Sequence, residues 1–411
     1  MPPERVAAAV RALPGPVCAY VYDRATLRER AAALRAALPA GSTLLYAVKA
    51  NGNPDVVAAL AAATDGLEVA SGGELALARD AGAARIVFGG PAKTDAELRA
   101  AVDAGALVNV ESVLELRRLA LVAADGAGPV AGGGSGGGPG GAPVRVALRV
   151  NRAAGGPGGS HRMTGTATPF GIDEAELADV LRLAATLPAV RPVGFHLHAV
   201  SNNLDAAAHA DFVVDAVRWS VTAAARHGLD LAYVNVGGGL GVDHTGGATG
   251  SDGAGPAEFD LDVLRRGLAP VRDLLPDGAE LVFEPGRWLA ADAGWYAAQV
   301  LDLKHTHGRW FAVLRGGTHH FRLPAAWGYS HPFEVLPVDR WPYPFERPEV
   351  RDVPVDAVGE LCTPRDVLTR GQRVARLRVG DVLLFGRTGA YGWDISHHDF
   401  LRHEHPRTVV L

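Results

Sequence analysis

The sequence predicts an α/β chain in which a (β/α)8 TIM barrel is followed by a C-terminal all-β domain, a sandwich or small barrel. Three observations predict it. Short apolar runs alternate with amphipathic stretches from Leu44 to about residue 290, the helical period stops after Trp288, and short alternating runs broken by turn residues take over beyond it. Strands alternating with helices imply parallel pairing, and eight such units over about 250 residues fit a closed barrel better than an open sheet.

Taken in order, residues 17–22 (VCAYVY) alternate as a strand that can join the sheet of the β domain, and Asp23 caps the helical stretch RATLRERAAALRAAL. The barrel strands follow as TLLYAVK (43–49), LEVAS (67–71), RIVFGG (85–90), LVNVES (107–112), VRVALRV (144–150), PVGFHLHAV (192–200), LAYVNVGGG (231–239) and ELVFEPG (280–286). Helical patterns such as PDVVAALAAA, GELALARDAG and TDAELRAAVDAG separate them. After Trp288 come WYAAQVLDL, RWFAVLRGG, VDAVGELC, ARLRVGDVLLF and RTVVL. The expected divisions are a lead-in over 1–23, the barrel over 24–290 and the β domain over 291–411. Residues 125–142 are a low-complexity Gly-rich insert that cannot build a core, whereas the Gly-rich segments 153–171 and 243–258 each follow a strand at the expected active face.

Composition narrows the function. The formal net charge of -5 is spread over mixed signs with no basic block, so nucleic acid and anionic membranes are not expected partners. The first residues carry charges of both signs and no long apolar run, nothing later approaches a membrane span, and a cytoplasmic protein is expected. Cys18 and Cys362 stand far apart and outside metal-ligand spacing, which fits a reducing compartment.

In a barrel of this kind the chemistry lies at the C-terminal strand ends. Those ends read Lys49, Glu68, Gly89, Glu111, Arg149, His198, Gly237 to Gly239, and Glu284 with Arg287. A lysine at the end of a buried strand must be paired, desolvated or used chemically. The run NVGGGLG lets backbone N–H groups converge on an anion, and EPGR places a guanidinium after the next strand, the usual phosphate position in such barrels. A nucleophilic amine, a phosphate cradle and a carboxylate together point to pyridoxal 5'-phosphate: Lys49 holds it covalently, the turn with Arg287 takes the phosphate, and Glu284 keeps the pyridine nitrogen protonated. The rival is a metal-dependent barrel hydrolase built on His196 and His198, two apart on one strand and facing one way. It expects such a pair on the first strand rather than the sixth, with more ligands at later strand ends. A non-catalytic cofactor carrier is a third class, and the large second domain with its own motif cysteine and tyrosine argues against it.

The motifs YAVKAN (46–51), EVASGGE (68–74), HLHAVS (196–201), GGGLG (237–241), EPGR (284–287), GELC (359–362) and GAYG (389–392) resemble, in order and over nearly the whole chain, the fold type III pyridoxal-phosphate enzymes, the group of diaminopimelate and ornithine decarboxylases. The resemblance implies that Lys49 is the covalent lysine and that His198 stacks on the cofactor ring. It implies that Ser201, Gly238, Gly239 and Arg287 bind phosphate, that Glu284 pairs with the ring nitrogen and that Glu68 and Arg149 support the cofactor. Tyr391 would reach the phosphate from the β domain. It further implies an obligate homodimer in which Cys362, a candidate proton donor, comes from the second subunit. A carboxylate rather than an arginine at the ring nitrogen favours decarboxylation over racemisation.

Substrate choice departs from the best-known relatives. An acidic residue usually follows the motif cysteine and grips a distal amine, but here Thr363 follows. The distal-pocket region GGTHHFRLPAAWGYSHPF carries His319, His320, Arg322 and His331, donors suited to a carboxylate-rich distal group, with packing of the β domain as the other reading of the histidines. This pattern resembles the branch that serves siderophore assembly by decarboxylating a diamino acid joined to citrate, with Arg322, His320 and Thr363 as substrate contacts. Diaminopimelate decarboxylation is the alternative, since RLPAAW loosely resembles that enzyme's RPALY segment with Leu323 as an extra residue.

Overall fold

Each of the eight apolar runs forms a strand of one closed parallel sheet. The strands are β1 (Thr43–Ala47), β2 (Gly66–Val69), β3 (Ile86–Phe88), β4 (Leu107–Val110), β5 (Val144–Asn151), β6 (Val190–His196), β7 (Tyr233–Asn235) and β8 (Glu280–Phe283). Every strand pairs parallel with the next, and β8 returns to β1 through Val282↔Thr43 and Phe283↔Leu44. Closure leaves no open edge. The computed structural model describes residues 3–125, 142–153, 156, 161–246 and 258–411. The Gly-rich stretch 126–141 and parts of the loops 153–171 and 243–258 lie outside the described residues.

The interior follows from the period of two. Leu45, Val87, Leu107, Ala147, Val193, Tyr233 and Val282 point inward and pack as one buried cluster. The connecting helices begin where the sequence supplies caps. Asn53 accepts hydrogen bonds from the N–H groups of Asp55 and Val56, and Pro54 occupies the first helical turn. Thr94 and Glu97 form a reciprocal capping box at helix Asp95–Asp103, and the second Glu97 oxygen accepts the Gly72 N–H at 2.7 Å. Thr94→Ala removes one side of that box and is expected to cost about 1 kcal/mol, read as a shift of the urea midpoint with an unchanged slope.

The chain divides into two units. One comprises Arg30–Gly241 and Phe259–Gly286, and the other comprises Met1–Glu29, Val242–Glu258 and Arg287–Leu411. The barrel unit runs to Gly286. The short helix Arg287–Ala290 is wholly buried within the second unit, where a Cβ on Gly389 would lie 2.0 Å from the Ala290 carbonyl oxygen.

The second unit is built on one eight-stranded sheet. Its longest strand, Gly294–Thr306, pairs near its start with Val382–Phe385 and Cys18–Tyr22, then passes an irregularity between Val300 and Asp302 and pairs with Arg309–Leu314. His307 and Gly308, both at positive φ, make the two-residue hairpin between the last two. Strand Cys18–Tyr22 also pairs in parallel with Arg407–Val410, so both ends of the chain share this sheet. Val6, Val10, Val21, Ala297, Leu336, Val382 and Leu384 fill one side of it. Among the described residues no helix is long and apolar enough to cross a membrane.

Candidate active site

Within the barrel unit, strand register brings the first charged pair together. Ala47 pairs with Glu68 across β1 and β2, and β1 then gives way to the single 3-10 turn Val48–Ala50 that carries Lys49. Lys49 is therefore not the last residue of the strand, as its apolar lead-in predicted, but part of the turn beyond it. Its Nζ donates to Glu68 Oε2 at 3.0 Å, the lysine side chain keeping 45% of its exposure while Glu68 keeps 5%. The anchor is buried and the amine remains reachable.

Arg149, on β5, donates to Glu111 Oε1 at 2.7 Å, and Glu111 Oε2 accepts the Gly171 N–H at 3.1 Å. The guanidinium also lies 4.8 Å from the centre of the Phe170 ring. His198 accepts the Gly238 N–H on Nδ1 at 3.3 Å, so in the neutral ring Nε2 bears the proton. Burial, then the charges of Lys49 and Arg149, hold its pKa well below the ordinary histidine value. The ring is uncharged at neutral pH.

The glycine turn is demanded by packing. A Cβ at Gly237 would lie 2.3 Å from His198 Nδ1, at Gly238 2.4 Å from the Glu284 carbonyl, and at Gly239 2.6 Å from the Val200 carbonyl. Only residues without a side chain let three strand ends come this close. The Asn203 N–H donates to the Gly239 carbonyl and Gly241 N–H to the Asn203 carbonyl, which pins the turn to the segment after Ser201. Glu284 follows β8 and is 5% exposed. Its Oε1 accepts from Asn235 Nδ2 at 2.5 Å, and its Oε2 lies 3.4 Å from His196 Nε2. Burial acts to raise its pKa, but attraction to His196, the Asn235 bond and Lys49 outweigh it, and the pKa lies below the ordinary glutamate value. A buried carboxylate is thus kept ionised. His196 and His198 sit 6.4 Å apart centre to centre, and among the described residues no cluster of three His, Cys, Asp or Glu side chains is spaced to hold a metal ion.

Within the second unit, Arg287 is 5% exposed, and its guanidinium lies 4.3 Å from the centres of both the Trp327 and Tyr391 rings. Its Nη1 donates to His244 Nε2 at 3.1 Å, and burial followed by the Arg287 charge holds His244 neutral. Among the described residues no carboxylate pairs with Arg287. A buried guanidinium without a counter-charge suits an anionic group such as a phosphate, and within the barrel unit a glycine turn that no Cβ could enter suits one equally.

The sequence-predicted substrate residues separate. Cys362 is exposed and Thr363 half-buried, at the start of a turn held by Asp366, whose carboxylate accepts the Thr318 and Leu361 N–H groups. Arg322 is exposed. His320, expected to contact substrate, is instead wholly buried: its Nδ1 lies 3.5 Å from Cys18 Sγ, its ring is 3.7 Å from that of His319, and burial lowers its pKa to about 2. His331 donates from Nε2 to the Gly386 carbonyl and accepts the Tyr329 hydroxyl on Nδ1, so both its nitrogens are used for packing. The histidines are core of the β domain, because two adjacent histidines on a buried turn point into it. Asn235, His244 and Trp327 were not singled out from the sequence. Their only signal was position, two residues before GGGLG, three after it, and inside RLPAAW.

The barrel and its rim are those of a pyridoxal-phosphate-dependent decarboxylase. The family described as "Pyridoxal-dependent decarboxylase, pyridoxal binding domain" matches residues 24–291, and the chain belongs to it. It is 38% identical over 398 residues, 96% of this chain and 94% of the relative, to 2-[(L-alanin-3-ylcarbamoyl)methyl]-2-hydroxybutanedioate decarboxylase of Staphylococcus aureus. It is 32% identical to diaminopimelate decarboxylase of Aquifex aeolicus, covering 93% and 84% of the two chains. In fold it is similar to diaminopimelate decarboxylase of Helicobacter pylori complexed with L-lysine, with a TM-score of 0.79 at 24% identity over 96% and 91% of the chains.

Proposed function

We propose that this decarboxylase removes the α-carboxylate of a diamino acid whose distal nitrogen is joined to citrate through an amide. The observation that carries the substrate is the 38% identity, over nearly the full length of both chains, to an enzyme whose name describes an alanine bearing a citrate-like acyl amide at C3. Thr363 supports it, since a neutral residue after the motif cysteine does not call for a distal cation. Arg322, exposed and without a carboxylate partner among the described residues, is the side chain suited to a citrate carboxylate.

Pyridoxal 5'-phosphate, when bound, supplies the electron sink for the pair released at Cα. Lys49 provides the amine that holds it, with Glu68 orienting that amine. Glu284, kept anionic, holds a proton at the ring nitrogen and so favours loss of carbon dioxide. The neutral His198 ring covers one face of the site and excludes water from it. Ser201, Gly238, Gly239, Arg287 and Tyr391 are assigned to the phosphate, and Arg149, braced by Glu111, supports the cofactor from its own strand end. Cys362 or Lys49 returns a proton to Cα. The family resemblance further implies a homodimer in which Cys362 serves the neighbouring copy.

The test is carbon dioxide release from a panel containing the citrate conjugate of 2,3-diaminopropionate and free meso-diaminopimelate. The conjugate is expected to exceed diaminopimelate in kcat/KM by at least about 10²-fold. Preference for diaminopimelate would assign the chain to lysine formation instead.

A further inference from the structure

We propose that Asn235 is a positioning residue that locks the glycine turn to the Glu284 carboxylate, so that the phosphate end and the ring-nitrogen end of the cofactor cradle keep one fixed spacing. The proposal rests on the assignment above of the turn to phosphate and of Glu284 to the ring nitrogen.

The geometry begins with register. Asn235 is the last residue of β7, paired with His196 on β6 and Val282 on β8, one strand from the end that carries Glu284. Its side chain is 0% exposed and turns inward. Oδ1 accepts the Gly237 N–H at 2.8 Å, and Nδ2 donates both to Glu284 Oε1 at 2.5 Å and to Tyr233 Oη at 2.8 Å. Because a backbone N–H must meet an oxygen and a carboxylate must meet a donor, the network allows the amide one orientation. The Gly237 peptide is held from both sides, since its carbonyl accepts the Glu284 N–H at 2.8 Å. One buried amide therefore ties the first glycine of the turn to the carboxylate. A residue filling space in the barrel would not need both hydrogen-bonding ends.

The two ends can be cut separately. Asn235→Asp keeps an acceptor for Gly237 N–H but replaces the donor to Glu284 with a second carboxylate, which raises the pKa of Glu284. Asn235→Leu keeps the volume and removes both bonds, leaving the Gly237 N–H unpaired. The groups facing Glu284 in the titration are His196 from β6, Tyr233 from β7 and the Lys49 charge from the turn after β1.

Apoprotein of wild type and both variants is titrated with pyridoxal 5'-phosphate and with pyridoxal, and the absorbance of the bound cofactor is followed against pH. In wild type the phosphate is expected to tighten binding strongly. In Asn235→Asp the ratio of the two dissociation constants should stay within about 3-fold of wild type, while the acid limb of the absorbance titration moves up by about one pH unit or more. In Asn235→Leu the ratio should fall by about 10-fold. Should the leucine variant fail to fold, the Asp titration alone decides. Wild-type titration and ratio in both variants, with only thermal stability altered, would overturn the proposal. Wild-type apoprotein that bound pyridoxal as tightly as its phosphate would overturn the underlying assignment of the turn, and the proposal with it.

Discussion

Lys49→Ala is expected to lower carbon dioxide release by at least about 10³-fold and to abolish the covalent link to the cofactor, with the fold retained. The physical basis is the asymmetry of the Lys49–Glu68 pair. The lysine keeps nearly half its exposure and little packing is lost with it, whereas Glu68 is almost fully buried at the far end of a 3.0 Å bond. Removing the ammonium leaves a buried carboxylate short of a donor, so a modest loss of stability, about 1–3 kcal/mol, should accompany the loss of activity. Lys49→Arg separates the two effects. A guanidinium can still satisfy Glu68 but is not a nucleophilic amine at neutral pH, so stability should return and activity should not. The readout is the mass of the borohydride-reduced protein beside the carbon dioxide assay. A stable adduct on the alanine variant would show that another residue is the covalent lysine.

Much of this site could be read from residue order because the barrel maps sequence onto space simply. Alternation of strand and helix fixes which residues are strand ends, and strand ends share one face. Lys49, Glu68, Glu111, Arg149, His198 and Glu284 were legible on that ground. The single turn beneath Lys49 was not, since the run LLYAV before it is apolar throughout and periodicity gives no signal for where pairing stops. Asn235 and His244 were hidden for another reason. Each acts through a bond to a residue far along the chain, 49 positions for Asn235 to Glu284 and 43 for His244 to Arg287, and no local pattern encodes that pairing. His320 was misread because charge chemistry was inferred without burial, and a histidine 0% exposed beside Cys18 has been taken out of water altogether.

Arg287→Met and Arg149→Met are expected to change stability of the apoprotein in opposite directions, although both arginines are almost fully buried. Arg149 is paired with Glu111, itself 5% exposed, so its removal strands a buried carboxylate and should destabilise by about 3–5 kcal/mol. Among the described residues Arg287 has no such partner. It gains about 0.5–2 kcal/mol from each of the two aromatic rings it lies against and one hydrogen bond to His244, whereas desolvating a lone guanidinium costs several kcal/mol. Methionine can occupy the slot between Trp327 and Tyr391 with favourable sulfur–aromatic contact, and the apoprotein should gain about 1–3 kcal/mol in urea unfolding. The same variant should lose most of its preference for pyridoxal 5'-phosphate over pyridoxal, because the stored charge is the one assigned to the phosphate. Saturating cofactor should then stabilise wild type more than the variant, reversing their order. An Arg287→Met apoprotein no more stable than wild type would mean that the guanidinium is held for structure rather than kept unpaired for an anion.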